Sequence, residues 1–214
     1  IVQNKLISIN DHLLVGVSGG PDSMGLLYFL VTIREKYNLY ISVAHVNHHT
    51  RQNENQIEQD MIEKFCEENK IPYYIGHFRK NKNKNFHDEA RSFRYRFFFN
   101  VARKIDANKI VLAHHQDDQV ETILFKITRG NNIKGYMGME KIVEINDNIS
   151  IIRPLLDFTK EEIVNYCKEN DIPYRIDSSN LSNKYTRNHI RNNIIPLFKE
   201  IQPDFNGKIM QFHE

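Results

Sequence analysis

Tryptophan is absent from this sequence, and cysteine occurs twice, at Cys66 and Cys167. The two cysteines lie far apart with no C-x-x-C spacing, which argues against a zinc ribbon, an iron–sulfur site or a disulfide scaffold. They read instead as buried free thiols of a reducing compartment, and the expected location is cytoplasmic. No run is long and apolar enough to span a bilayer, and no signal-peptide pattern opens the chain, so no membrane is expected as a partner. A strong charge of either sign is missing too. Lys and Arg number 29 against 27 Asp and Glu, a balance of +2, so any nucleic-acid binding must come from local patches. The first residue is Ile rather than Met, and the N-terminus is expected to be trimmed. No internal repeat is visible. Glycine is scarce, with nine in 214 residues, which makes the adjacent pair Gly19-Gly20 informative.

What is present is an alternation of strand-like and helix-like segments. A hydrophobic share of 40% in 214 residues supplies a core for one domain, or one domain with a small appendage. Apolar runs at residues 13–17, 39–46, 72–78, 109–113 and 149–152 read as strands. Between them, residues 24–30, 53–68, 86–105 and 118–128 read as helices; the second carries Ile57, Met61, Ile62 and Phe65 on one face. This alternation predicts an α/β fold, a parallel Rossmann-like sheet with helices on both faces and right-handed crossovers. Thr159-Lys160-Glu161-Glu162 is a capping box that opens a helix through Lys168. Residues 172–176 read as a short strand, and residues 186–198 as a helix stopped near Pro196. The expected division is a catalytic domain over residues 1–157 and a small C-terminal helical appendage over residues 158–214.

The chemistry concentrates at the ends of the expected strands. Ser18-Gly19-Gly20-Pro21-Asp22-Ser23 follows the first strand and opens a helix. Two glycines let the chain turn sharply and an anion approach the backbone, and the helix directs its positive end at the turn. A phosphate suits it, with Ser18 and Ser23 as donors and Asp22 holding a magnesium ion on phosphate oxygens. The loop lacks the Lys of G-x-x-x-x-G-K-[ST] and the spacing of G-x-G-x-x-G. It resembles the S-G-G-x-D-S pyrophosphate loop of the ATP pyrophosphatase superfamily, against the blander reading of an ordinary strand-to-helix turn. At the end of the fourth strand, Asp118 and Glu121 stand at i and i+3 on one helix face, beside His114, His115 and Asp117. They read either as a cation site, for magnesium or an ammonium group, or as acidic residues favoured by a helix start. His45, Asn47, His48 and Arg51 end the second strand, where the imidazoles could meet adenine or ribose. Arg91 and Arg94, and likewise Arg187 and Arg191, share helix faces and read as phosphate grips or as solvated basic faces. Residues 79–84 form a further basic loop.

In their joint order these segments resemble the tRNA(Ile)-lysidine synthetase family. The loop matches, and His45-Val46-Asn47-His48 with Arg51 matches H-V-N-H-x-L-R except for Thr50 in place of Leu. Ala90-Arg91, Arg94 and Tyr95 match A-R-x-x-R-Y, and His114, Asp117, Asp118, Gln119, Glu121 and Thr122 match H-x-x-D-D-Q-x-E-T. Arg129-Gly130, Arg153-Pro154-Leu155-Leu156, Asp177 with Ser179-Asn180, and Arg187-Asn188 with Ile190-Arg191 complete the series. His87 departs from the family, which usually has an acidic residue there.

The resemblance implies a ligase. ATP would adenylate the wobble cytidine of an isoleucine tRNA precursor and release pyrophosphate, and free L-lysine would then displace AMP. Ser18, Gly19, Gly20, Pro21, Asp22, Ser23, His45 and Asn47 would bind the nucleotide, with Mg2+ on Asp22. His114, Asp117, Asp118 and Glu121 would bind lysine, with Asp22, Asp118 and Glu121 as the catalytic set. Arg91, Arg94, Arg187 and Arg191 would meet the tRNA. Larger family members carry further C-terminal domains, so the chain is expected to be a catalytic core or a short form. Oligomeric state stays open, a homodimer among the options. The rival readings are another pyrophosphate-loop enzyme such as a tRNA thiolase, a metal phosphohydrolase, and a non-catalytic ATP- or RNA-binding module.

Overall fold

The computed structural model describes residues 6–49, 54–79, 86–130, 136–146, 148–176 and 186–211. Six strands, β1 (His12–Gly16), β2 (Tyr40–Asn47), β3 (Tyr73–His77), β4 (Lys109–Val111), β5 (Ile142–Asn146) and β6 (Ile149–Ile152), form one sheet. The order is β3-β2-β1-β4-β6-β5, parallel throughout except for the antiparallel edge strand β5. Leu14 pairs with Ser42 on one side and Ile110 on the other, so β1 is central. From β1 the chain builds outward to β3, then crosses back to lay β4 on β1's other side. That reversal opens a crevice beyond the carboxyl ends of β1 and β4, where ligands of such sheets bind.

The helices are α1 (Pro21–Ile33), α2 (Glu54–Glu68), α3 (Phe86–Lys104), α4 (Gln116–Arg129) and α5 (Lys160–Glu169). A C-terminal group follows: α6 (Thr186–His189), a π turn (Ile190–Ile194), α7 (Ile195–Ile201) and α8 (Phe205–Gln211). Successive strand residues face opposite sides, and the core divides accordingly. Leu13 and Val15 join Met24, Leu27 and Leu30 of α1, Ile62 and Phe65 of α2, and Ile163 and Cys167 of α5. Leu14, Ala44 and Ile110 join Phe98, Val101 and Ala102 of α3 on the other face. Each fully buried Leu contributes roughly 1.5–3 kcal/mol. A smaller third cluster holds Val120 of α4 against Ile190 and Ile195, with Phe125, Phe205 and Ile209 around it. Of the residues after 157, α5 thus shares the main core, whereas α6 to α8 gather around α4. Among the described residues no helix is long and apolar enough to cross a membrane.

The parallel sheet with helices on both faces and the C-terminal helical group are those expected from the sequence, with four local differences. Strand β5 was not expected, because its side chains are mostly exposed; β6's open edge supplies its pairing. The strand expected at residues 172–176 does not form. Both neighbours of β1 are already taken, and the segment lies against α1 and α5, with Ile172 buried there and Arg175 N–H donating to Gly19 O at 3.0 Å. Pro196 does not stop its helix but sits in the first turn of α7, where its missing N–H costs nothing. The π turn before it, with Ile195 N–H donating to Ile190 O, lets the chain restart. Ile57, grouped in sequence on one face of α2 with Met61, Ile62 and Phe65, is exposed.

Helices α1 and α5 meet at Gly25, where a Cβ would lie 3.0 Å from Cys167 Sγ. Gly25→Val should overpack this contact and lower unfolding free energy by about 1–3 kcal/mol. Cys167→Ala should restore part of the loss in the double variant; additive losses in urea denaturation would refute the contact as the cause.

Candidate active site

The loop after β1 is held by its own serines. Ser18 N–H donates to Ser23 Oγ at 3.1 Å, the two hydroxyls are 3.2 Å apart, and Ser23 Oγ donates to Gly20 O at 3.1 Å. Ser23 is buried while Ser18 is exposed, so Ser23 shapes the turn and Ser18 faces outward. Gly19 has φ +85°, a conformation that favours glycine. Gly20 precedes α1 without any side-chain cap, and Pro21 fills the first helical position. The uncapped helix end leaves first-turn donors for an anion.

Opposite the loop, β4 runs into α4 through His114-His115, and four carboxylates converge. Asp22 receives Lys160 Nζ at both oxygens, 2.7 and 2.6 Å. His115 lies among three acids: Nε2 is 3.7 Å from Asp22 and 3.4 Å from Asp118, and Nδ1 is 3.6 Å from Asp117. Burial disfavours its charged form, but the surrounding carboxylates outweigh burial and push His115 up. Asp118 also accepts the His115 N–H at 3.2 Å, closing a capping box at the start of α4. Burial opposes the charge on Asp117, yet His115 and the Lys160 N–H, at 2.8 Å, hold it below the ordinary carboxylate range. Asn206 of α8 donates to its other oxygen at 3.0 Å, and Lys199 Nζ approaches to 4.0 Å.

Arg191, in the π turn, grips the acidic pair of α4. Its Nε donates to Glu121 Oε1 and its Nη2 to Asp118 Oδ1, the latter at 3.3 Å. Glu121 is buried, and burial raises its pKa despite the guanidinium. So Asp118 and Glu121 do share a face, as their spacing implied, and that face holds a cation. Arg191 is turned inward and does not form an open basic stripe with Arg187, whose guanidinium lies 5.3 Å over the Phe125 ring.

The α3 side of the crevice is lined by imidazoles. His45 is buried, its Nδ1 donating to Val17 O at 2.9 Å; Nε2 is buried with no partner, and burial lowers its pKa. The neutral ring therefore presents an unused acceptor. His48 and His114 are each pushed down to about 4, first by burial and then by neighbouring cations, Arg94 among them in both cases. The Nδ1 atoms of His48 and His114, Glu89 Oε2 and Arg153 Nε are likewise buried without partners. Arg91 and Arg94 are exposed, Arg91 resting 5.2 Å over Tyr95. Asn47 is fully engaged, donating to Gln59 at 2.9 Å and accepting from His49 N–H at 3.0 Å; it ties β2 to α2. Arg51, Asp177 to Asn180 and residues 80–84 lie outside the described residues.

The structure adds three residues that sequence reasoning had not assigned to the site. Lys160 reads in sequence only as part of a capping box, and Lys199 and Asn206 lie beyond the last helix expected at residues 186–198, outside every motif. No spacing rule links residue 160 to residue 22, and only the packing of α5 on α1 brings them together. Among the described residues no group of three or more His, Cys, Asp or Glu forms a metal cage.

The model of the PP-loop domain family matches residues 2–198. The chain belongs to the PP-loop family. Within that family it is 41% identical to the bifunctional protein TilS/HprT of Listeria innocua, over all of this chain and 34% of that protein. It is 40% identical to the tRNA(Ile)-lysidine synthase of Clostridium tetani, over 96% of this chain and 44% of that protein. The chain thus spans between a third and a half of the length of these curated relatives. Among solved structures, the U34-tRNA thiolase NcsA from Methanococcus maripaludis, with its [4Fe-4S] cluster, superposes with a TM-score of 0.82. It is 19% identical and covers 98% of this chain and 72% of the other, a likeness of fold alone.

The histidine wall makes stability pH-dependent. His48 titrates near 4 when folded against an ordinary 6.5, so below 6.5 the unfolded chain takes up a proton that the folded chain refuses. Its contribution is present above pH 6.5 and is lost as pH falls towards 4. His48→Phe, which keeps a ring against Phe78 and Phe86, should flatten the fall in urea midpoint between pH 6.5 and 4.5. An unchanged slope would assign the acid sensitivity to other groups.

Proposed function

We propose that this PP-loop protein is a tRNA(Ile)-lysidine synthetase: it adenylates the wobble cytidine of an isoleucine tRNA precursor with ATP and joins L-lysine to the activated base. The observation that carries the reading is a cation-binding carboxylate pair, Asp118 and Glu121, facing a phosphate-type loop across one crevice. The names of the relatives, for proteins more than twice this length, support it.

Each group has work to do. Ser18, the Gly19-Gly20 backbone and the uncapped end of α1 receive the phosphates, with Pro21 and Ser23 fixing the turn. Negative charge grows on the departing pyrophosphate, and donors already in place stabilise it without reorganisation. Asp22 fits a magnesium ion: its carboxylate already draws a cation at both oxygens, and magnesium is commonly held by one carboxylate plus ligand phosphates. Magnesium would supply charge neutralisation of the phosphates there. The unpaired acceptor of His45 suits a donor edge of the nucleotide, and Asn47 keeps that strand end in place. The lysine ammonium would take over the longer Arg191 contact, the 3.3 Å bond to Asp118, and share Glu121. Asp117 and His114 flank that position. Attack needs the neutral amine, and Glu121, raised by burial, is placed to accept its proton. The cytidine must leave its stack to reach the crevice. Exposed Arg91 and Arg94 of α3 would meet tRNA phosphates, and Arg187 of α6 lies over the Phe125 ring.

The thiolase alternative lacks its nucleophile. Burial and two nearby glutamates push the Cys66 thiol up to about 12. Cys167 is also raised, chiefly by burial, and donates its S–H to Pro21 O at 3.3 Å. Neither is a ready thiolate.

The test combines magnesium ATP, an isoleucine tRNA precursor and labelled lysine. Pyrophosphate release that requires the tRNA, with label entering it, is expected; the absence of both sinks the proposal. Asp118→Asn should raise the lysine KM about ten- to a hundredfold, the scale of a charge-assisted hydrogen bond, with ATP binding little changed. An unaltered lysine KM would leave Asp118 as a helix cap. Arg91→Ala should lower the slope of log affinity for tRNA against log salt by about one contact, and a slope equal to wild type would remove Arg91 from the interface.

A further inference from the structure

Lys160 is a residue that the lysidine reading leaves without a task. It opens α5, the helix pressed against α1 at Gly25, and that packing sets its ammonium on the loop's only carboxylate. The contact is bidentate, at 2.7 and 2.6 Å, between a half-exposed amine and a partly buried acid. Its backbone is pinned at the same time: the Lys160 N–H donates to Asp117, and Thr159 and Glu162 close a capping box around the turn. The backbone is thus fixed while the four-carbon stem can swing. Asp22 itself lies in the first turn of the loop helix, so a small rotation of the stem carries the ammonium from the carboxylate towards whatever anion the loop holds.

We propose that Lys160 is the exchangeable counter-ion of the PP-loop: it neutralises Asp22 in the free protein and moves onto the nucleotide's phosphate oxygens when the magnesium nucleotide takes its place. The proposal rests on the ATP-binding reading above and deepens it. Without Lys160, Asp22 would keep only His115 Nε2, 3.7 Å away and shared with Asp118, in a crevice that also holds Asp117 and Glu121. A resident lysine removes that repulsion, and its displacement costs little because the phosphates offer it a new partner. Two consequences follow from one ammonium. It competes with magnesium for Asp22, and it binds the nucleotide once magnesium has arrived. No bond is made or broken by Lys160, which stays protonated throughout.

The experiment is calorimetric titration of the 214-residue protein with a non-hydrolysable ATP analogue across a magnesium series, for wild type, Lys160→Ala, Lys160→Arg and Thr159→Ala. In Lys160→Ala the magnesium concentration for half-maximal binding should fall, while the analogue's affinity at saturating magnesium should weaken on the order of tenfold. Lys160→Arg should regain most of that affinity. Thr159→Ala, which loosens the helix end but keeps the ammonium, should leave both quantities near wild type. Unchanged magnesium dependence in Lys160→Ala overturns the proposal, and so does an equal effect of Thr159→Ala, which would make helix integrity the cause. Wild-type protein that binds no magnesium nucleotide would instead overturn the ATP-binding reading, and this proposal with it.

Discussion

Asp22, Asp117, Asp118 and Glu121 crowd into the crevice beyond β1 and β4, and four partly buried negative charges so close together are tolerable only with cations among them. The sheet itself supplies none. Lys160 comes from α5, His115 from the β4–α4 junction, Arg191 from the π turn and Lys199 from α7, with Asn206 of α8 adding a donor. This demand explains why the C-terminal helices lie where they do. Their small apolar cluster around Val120 and Ile190 packs on α4, and the charge pairs lie beside it. The helices after residue 186 thus complete the electrostatics of a site whose backbone the sheet provides.

The crevice has two walls of opposite character. On the α4 wall His115 and Asp117 are held charged, His115 raised and Asp117 lowered by each other's presence. On the α3 wall it keeps them neutral, with His48 and His114 pushed down by burial and neighbouring arginines. The reaction proposed above, joining a cationic amine to a flat, uncharged base, would use both kinds of surface. Orphaned acceptors and donors on the neutral wall, His45 Nε2 and Arg153 Nε among them, are unmet hydrogen-bonding capacity of the kind that a bound heterocycle satisfies.

Much of this was legible beforehand because it is local. The loop announces itself through adjacent glycines between an apolar run and a helix, and the Asp118–Glu121 pair through i, i+3 spacing. The unforeseen parts are non-local. β5 has little periodicity of its own and forms because β6 offers an edge. The segment 172–176 has strand-like composition but no vacant edge beside it. Arg187 and Arg191 look equivalent at i, i+4, yet one rests on an aromatic ring and the other reaches two carboxylates, because a π turn changes the angular step between them.

By itself the sequence determined the fold class, the glycine turn between the first strand and its helix, and the face shared by Asp118 and Glu121, since each follows from hydrophobic period, glycine conformational freedom or helical geometry within a dozen residues. Tertiary structure alone decided which cation meets which acid. Lys160 and Asp22 are 138 positions apart, and Arg191 and Glu121 are 70 apart. Such pairings depend on how α5 packs on α1 and how the last helices dock on α4, and no local pattern encodes them. The physical reason is range: backbone preference and amphipathic period act along the chain, whereas charge compensation in a crevice acts across space.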